Sequence, residues 1–318
     1  MVYSPRYNIK FFGLEKFHPF DSCKYEKIYS SLVQNGVVNK DETIEPSRIL
    51  TRKELEEVHN SSYLDTLSSS STLASITEIG FVSFIPNFIL QHVLLKPFLY
   101  ATSGSVLSGH LAVEKGWAVN LGGGFHHSSY NSGGGFCTYA DITLCHKYLR
   151  KHHPKVKKIM IIDLDAHQGN GHEEDKIHFQ DEDVFILDMY NKDEYPSQIP
   201  MAVAVRRAID VNIPISDGTK DSVYLNKLES GLERAFNSFK PDFIIYNAGT
   251  DILDGDPIGG LGVSSEGICK RDEMVFDIAL KKGIPITMLL SGGYTQRSAT
   301  VIVQSLTNLH QKFQLFKT

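Results

Sequence analysis

Asp163-Leu164-Asp165-Ala166-His167 sets two carboxylates and an imidazole at alternate positions. On an extended chain all three project to one side, so Asp165 and His167 can share one cation with Asp163 behind them. Asp256, in Asp254-Gly255-Asp256-Pro257, offers a second carboxylate. One histidine and two carboxylates with a position left open is the pattern of a catalytic zinc site. The same donors also accept iron, cobalt or manganese. His126-His127 follows Gly122-Gly123-Gly124 and precedes Gly133-Gly134-Gly135-Phe136, where glycines permit close approach of a substrate. Tyr294, after Gly292-Gly293, brings a phenol able to donate to a developing oxyanion. Gly293 beside it suits a loop that adjusts when substrate enters. Each string alone has a plain reading: Asp, Gly and Pro are turn residues, and His152-His153 is a solvated surface pair. Their convergence is what carries weight.

The convergence needs a scaffold. Apolar runs predict buried strands at Trp117 to Leu121, Ile159 to Asp163, Val184 to Asp188, Phe243 to Asn247 and Ile286 to Leu290. Helical patterns cover Ala140 to His152, Ser222 to Phe239, Ser264 to Lys282 and Gln296 to His310, with a shorter one at Lys53 to Val58. Strand–helix alternation predicts an α/β fold, one mainly parallel sheet with helices on both faces. The chemistry-bearing loops then follow strand ends, where such sheets bind ligands. Ser68 to Ser71 reads as a loop. The uncharged run between Glu78 and Lys96, interrupted by Pro86, Asn87, Gln91 and His92, reads as a buried helix with its entry loop, not a membrane span. No repeat or linker divides the chain, so residues 1–318 are expected to form a single catalytic domain.

A net charge of -5 argues against direct nucleic-acid binding; the basic stretch Arg150 to Lys158 reads as a helix end and its loop. Four dispersed cysteines without a CxxC pair fit a reducing compartment. The first residues lack a signal-peptide core, and the expectation is an intracellular, cytoplasmic protein. Gly-x-Ser-x-Gly is absent, the Rossmann glycine pattern fails at His127, and no P-loop lysine appears.

From Tyr7 to the last helix the chain resembles the zinc-dependent histone deacetylases of the arginase/deacetylase fold, most closely their class IV branch (histone deacetylase 11-like). The resemblance rests on Gly13 to Asp21, Gly122 to His127, Gly133 to Cys137, Ile161 to Glu173, Tyr246 to Pro257 and Ser291 to Tyr294. It implies Asp165, His167 and Asp256 as zinc ligands, His126 and His127 beside the attacking water, and Tyr294 as oxyanion donor. It implies Asp163 behind His126 and in a structural potassium site, to which Asp188 adds a backbone oxygen. It also implies Phe136 as one wall of an acyl-lysine tunnel, Tyr195 as the other, and Gly135 and Gly293 against the substrate. Many relatives carry an aspartate behind the second histidine; Asn170 stands here and fits class IV. It orients His127 without adding the charge that would raise its basicity. Binuclear ureohydrolases of the same fold need an aspartate where this chain has Gly169, which favours one metal.

The implied activity is hydrolysis of N-acyl-lysine on a protein or peptide, as deacetylation or long-chain deacylation. The alternatives are an amidohydrolase acting on acetylated polyamines and a non-catalytic acyl-lysine-binding scaffold. Gly259-Gly260-Leu261-Gly262 is expected to leave the pocket roomy.

Overall fold

The structure, a computed structural model, describes residues 1–10, 21, 23–197 and 199–316. Of the motif from Gly13 to Asp21, residues 13–20 therefore lie outside the described residues. The strands are β1 (Trp117–Asn120), β2 (Ile159–Asp163), β3 (Val184–Asn191), β4 (Val211–Ile215), β5 (Phe243–Asn247) and β6 (Ile286–Leu289). They form one sheet in the order β1-β6-β5-β2-β3-β4, and every pairing is parallel. β2, β3 and β5 are buried along their whole length, which is why they read as unbroken apolar runs. β4 alternates buried and exposed residues and holds Pro214. The sequence reading predicts no strand there, because proline is tolerated only at a sheet edge and weakens the signal.

The helices are α1 (Lys24–Gln34), α2 (Arg52–Leu55), α3 (Ser61–Thr66), α4 (Ser70–Thr77), α5 (Asn87–Leu90), α6 (Lys96–Lys115), α7 (Asp141–His152), α8 (Asn170–His178), α9 (Pro200–Val205), α10 (Asp221–Ser238), α11 (Ser265–Lys282) and α12 (Ser298–Phe313). α6 packs on β1 and β6, α10 on β3 and β4, and α11 between α10 and α12. Among the described residues no helix is long and apolar enough to cross a membrane.

Two expectations change. The serine run is no loop: Ser69 caps α4, its side chain accepting from Thr72 N, and the helix starts at Ser70. The uncharged run is only in part a buried helix: Leu90, Leu94 and Leu95 are covered, but Phe88 is 69% exposed. Pro86 cannot supply an interior helical N–H, and the run divides into a 3-10 turn (Gly80–Phe84), α5 and a π turn (Gln91–Leu95) before α6. Phe84 ends up 89% exposed.

Register brings the polar strand ends level. Asp163 lies beside Asp188 on one side and Asn247 on the other, and Asn247 pairs with Leu289, next to Asn120. After β2 the chain steps outward to β3 and β4; after β5 it steps the opposite way to β6. Loops that part in this way leave a crevice at the carboxyl ends of the central strands.

Candidate active site

Four loops fill that crevice. The first, after β1, is shaped by its glycines: Gly123 and Gly124 take φ of +77° and +80°, and a Cβ on Gly124 would lie 2.3 Å from Asn247 Oδ1. Asp141, at the start of α7, accepts from Gly124 N and Phe125 N, each at 2.8 Å. The loop thereby presents His126 and His127 with ring centroids 4.1 Å apart.

The two histidines have different backing. His126 Nδ1 donates to Asp163 Oδ2 at 2.9 Å. Burial opposes charge on this ring, but the carboxylates of Asp163 and Asp165 outweigh it and push its pKa up to about 9. His127 Nδ1 donates to Asn170 Oδ1 at 2.7 Å. Burial, then the neighbouring His126 and His167, hold His127 well below the ordinary imidazole value. An amide partner does not offset that.

From the end of β2 come two clusters. Asp165, His167 and Asp251 place their ligand atoms within 4.8 Å of one another. His167 Nε2 donates to Ile258 O at 3.0 Å, which fixes the ring so that Nδ1 faces the oxygens of Asp165 and Asp251, each at 3.1 Å. An imidazole with one nitrogen held by a carbonyl and the other turned to carboxylates is oriented as a metal ligand. Burial, with Asp165 beside it, raises Asp251 to about 7. The sequence points to Asp256 beside Asp165 and His167, whereas the structure sets Asp251 in the cluster. Its signal was present, since it follows β5 in Asn247-Ala248-Gly249-Thr250-Asp251. Asp256 is buried close by, accepting from Ile258 N and Gly259 N at 3.2 Å and from Tyr294 N at 2.8 Å.

The second cluster, Asp163, His172 and Asp188, is fully enclosed. His172 Nε2 donates to Asp163 Oδ2 at 2.9 Å, Asn247 Nδ2 to its Oδ1 at 3.0 Å, and Gly169 N to Asp188 Oδ2 at 2.9 Å. Burial raises the carboxyls of both Asp188 and Glu173, and the two acids face each other. A Cβ on Gly169 would meet His172 Nε2 at 2.0 Å and Asp163 Oδ2 at 2.6 Å. An aspartate at 169, and the second metal it would serve, has no room. His172 and Glu173 end the motif that starts at Ile161, and the fold supplies their contacts.

The fourth loop carries Tyr294. Asp165 Oδ2 accepts from Ser291 Oγ at 2.9 Å and Gly292 N at 3.0 Å. From below, Lys24 Nζ donates to Ser291 O at 2.7 Å and Gly292 O at 3.0 Å. Burial lowers this ammonium to about 8 although four aspartates lie near it. Arg271 does the same for the loops after β2 and β5, donating to Leu164 O at 3.2 Å and Gly249 O at 2.5 Å. Both buried cations look like surface charges in the sequence.

These loops border a pocket of about 390 Å³, its open mouth included, which His126, His127, Gly135, Phe136, Asp165 and Tyr294 line. A Cβ on Gly135 would come within 2.4 Å of His127 Cδ2, and Phe136 holds φ at +67°, a costly value for an aromatic residue. Tyr195 sets its ring edge-on to His127 at 4.9 Å, and Gly135 lies against both rings. Gly292 borders the pocket; Gly293 instead packs against Thr250 and Ser298. Gly259 is pressed against the Asp251 backbone, and Gly260 lies beside Asp217 and Asn191. Those glycines serve close packing, not a roomier pocket.

Comparison with known proteins identifies the family. The family profile described as histone deacetylase domain matches residues 18–310. Histone deacetylase 2 of Arabidopsis thaliana is 47% identical over 98% of this chain and 79% of its own length. Histone deacetylase RPD3 of Saccharomyces cerevisiae is 26% identical over 88% of this chain and 65% of its own. The crystal structure of the HDA15 HD domain superposes with a TM-score of 0.77 at 21% identity, covering 99% of this chain and 91% of that one. The chain belongs to the histone deacetylase domain family, and its sheet and helices have the arginase/deacetylase architecture.

Proposed function

We propose that this protein hydrolyses N-acyl-lysine amides on proteins, inside the cell, with residues 1–318 acting as one catalytic unit of the class IV branch. The observation that carries the reading is the pocket itself. It sets two unlike histidines and a tyrosine around Asp165, whose neighbour His167 is turned for a metal.

Zinc would be held by Asp165, His167 and Asp256, a donor set that suits it. The Asp256 carboxylate also accepts from the Tyr294 backbone; Asp251, whose Oδ1 accepts from Ala166 N at 2.9 Å, would then hold the loop that carries Asp165 and His167. When bound, zinc lowers the pKa of water and polarises the acyl carbonyl. His127, kept neutral by its surroundings, takes the proton of the attacking water at Nε2, since Nδ1 is committed to Asn170. Tyr294 donates its hydroxyl to the oxyanion; burial, with Asp251 and Asp165 beside it, pushes its phenol pKa far up and keeps it protonated. A protonated histidine of the pair then gives its proton to the leaving amine, and Asp163 keeps such a charge on His126. Phe136 and Tyr195 flank the lysine stem. A structural potassium ion near Asp163 would take backbone oxygens, that of Asp188 among them. The Asp163 carboxylate oxygens, and one of Asp188, already accept N–H groups.

The test is metal content together with turnover of acetyl- and myristoyl-lysine peptides. Stoichiometric zinc with turnover of one acyl length supports the reading. Metal without turnover of any acyl-lysine would leave the non-catalytic scaffold. Glu194 supports a second reading, hydrolysis of acetylated polyamines: it stands next to Tyr195, near enough to His167 to feel its charge, and a cationic amine would pair with it. Faster turnover of an acetylated polyamine than of any peptide would select that substrate.

A further inference from the structure

From Ile79 to Leu95 the chain carries no Asp, Glu, Lys or Arg. Three phenylalanines stand out from this stretch, with Phe81 43%, Phe84 89% and Phe88 69% exposed. Single exposed apolar residues need no explanation, but a contiguous group marks an interaction surface. Its location narrows what the surface meets. At one end, Ile76 O accepts from Phe136 N at 3.0 Å, and a Cβ on Gly133 would lie 3.1 Å from Ile76 Cδ1. At the other end, α6 brings Phe98 to the Phe136 ring, with centroids 6.2 Å apart. Both ends of the stretch are therefore fixed to one wall of the pocket.

The opposite wall continues the surface. A Cβ on Gly134 would lie 3.3 Å from Tyr195 Oη. Beyond Tyr195 come Ile199 (42% exposed), Met201 (56%) and Val203 (50%) on and before α9. Apolar rims thus adjoin the glycine loop from both sides.

We propose that this rim seats the protein on a phospholipid bilayer, with the pocket opening toward the lipid. A specific protein partner is met by an apolar centre inside a rim of hydrogen-bonding and charged groups. Here the aromatic side chains project from short turns, and charge is absent for the whole run. A bilayer interface asks for that arrangement: aromatic and aliphatic groups entering the acyl boundary, with charges held at headgroup level. Glu78 and the exposed Lys96 stand at the two ends of the run. The reading of the pocket as a substrate mouth gives the surface its orientation, but seating itself does not depend on catalysis.

The experiment sediments the full chain with large unilamellar phosphatidylcholine vesicles, comparing wild type with F84S/F88S. Wild type is expected to pellet with the vesicles. The double variant should partition about 100-fold less, since each buried phenylalanine contributes about tenfold or more. Its zinc content and its thermal unfolding should match those of wild type, because neither side chain touches the site. Absence of wild-type binding overturns the proposal, as does equal binding by the variant. Wild-type self-association that F84S/F88S abolishes, without vesicle binding, assigns the rim to a second copy and overturns it too. Vesicle binding in a protein that cleaves no acyl amide would sink the hydrolase reading alone.

Discussion

Two clusters of the same donors grow from alternate residues of one strand end. The cluster of Asp165, His167 and Asp251 reaches the pocket through Asp165, whereas Asp163, His172 and Asp188 are sealed. In the first, the His167 ring is turned by a backbone carbonyl so that a nitrogen faces the carboxylates. In the second, the oxygens of Asp163 are consumed by His126, His172 and Asn247. Donor type does not separate a reactive centre from a structural one. Access to the pocket does.

The comparison can be broken most decisively by removing one member from each side. His167→Ala should lose bound zinc and fall to background turnover, while Asp188→Asn should keep its zinc and stay within about tenfold of wild-type turnover. Metal analysis with peptide assays checks both, and loss of zinc in the Asp188 variant would erase the distinction. Tyr294→Phe comes next, with turnover down by about 100-fold or more and zinc retained; near-normal turnover would remove the phenol from the chemistry. Asp251→Asn should weaken zinc affinity by about 10-fold to 100-fold by loosening the Ala166 backbone between Asp165 and His167, measured by competition with a chelator. Should it instead abolish binding while Asp256→Asn retains it, Asp251 is the ligand.

The smallest effect is in pH dependence. Catalysis needs neutral His127, so activity is present above its pKa and is lost as pH falls through it. Because that value is held well below 6.5, the acidic limb should lie below it as well. Asn170→Asp adds a negative charge at Nδ1, favours the protonated ring and should move the limb to higher pH. A limb that stays in place would remove Asn170 from this role.

Much of this was legible in the sequence, and the omissions share a cause. β2 and β5 were placed residue for residue, since an unbroken apolar run ending in Asp or Asn has few other readings. His126, His127, Asp165, His167 and Tyr294 were named because glycines and strand ends mark them locally. Asp251 and His172 stand at marked places in the sequence, but their partners come from neighbouring strands, and register alone pairs them. Lys24 and Arg271 are hidden differently: a buried cation and a solvated one are the same letter. The uncharged run misled because apolar composition reports a preference for leaving water, not what the side chain leaves water for.

The grip of Lys24 on Ser291 and Gly292 spans 267 positions of the chain. Closing so long a loop is slow and comes late in folding. A nascent polypeptide on the ribosome would thus hold its histidines and aspartates long before it could use them. Hydrolytic competence would arrive in one step, when the last quarter of the chain docks on the first, so that unfinished chains stay inert.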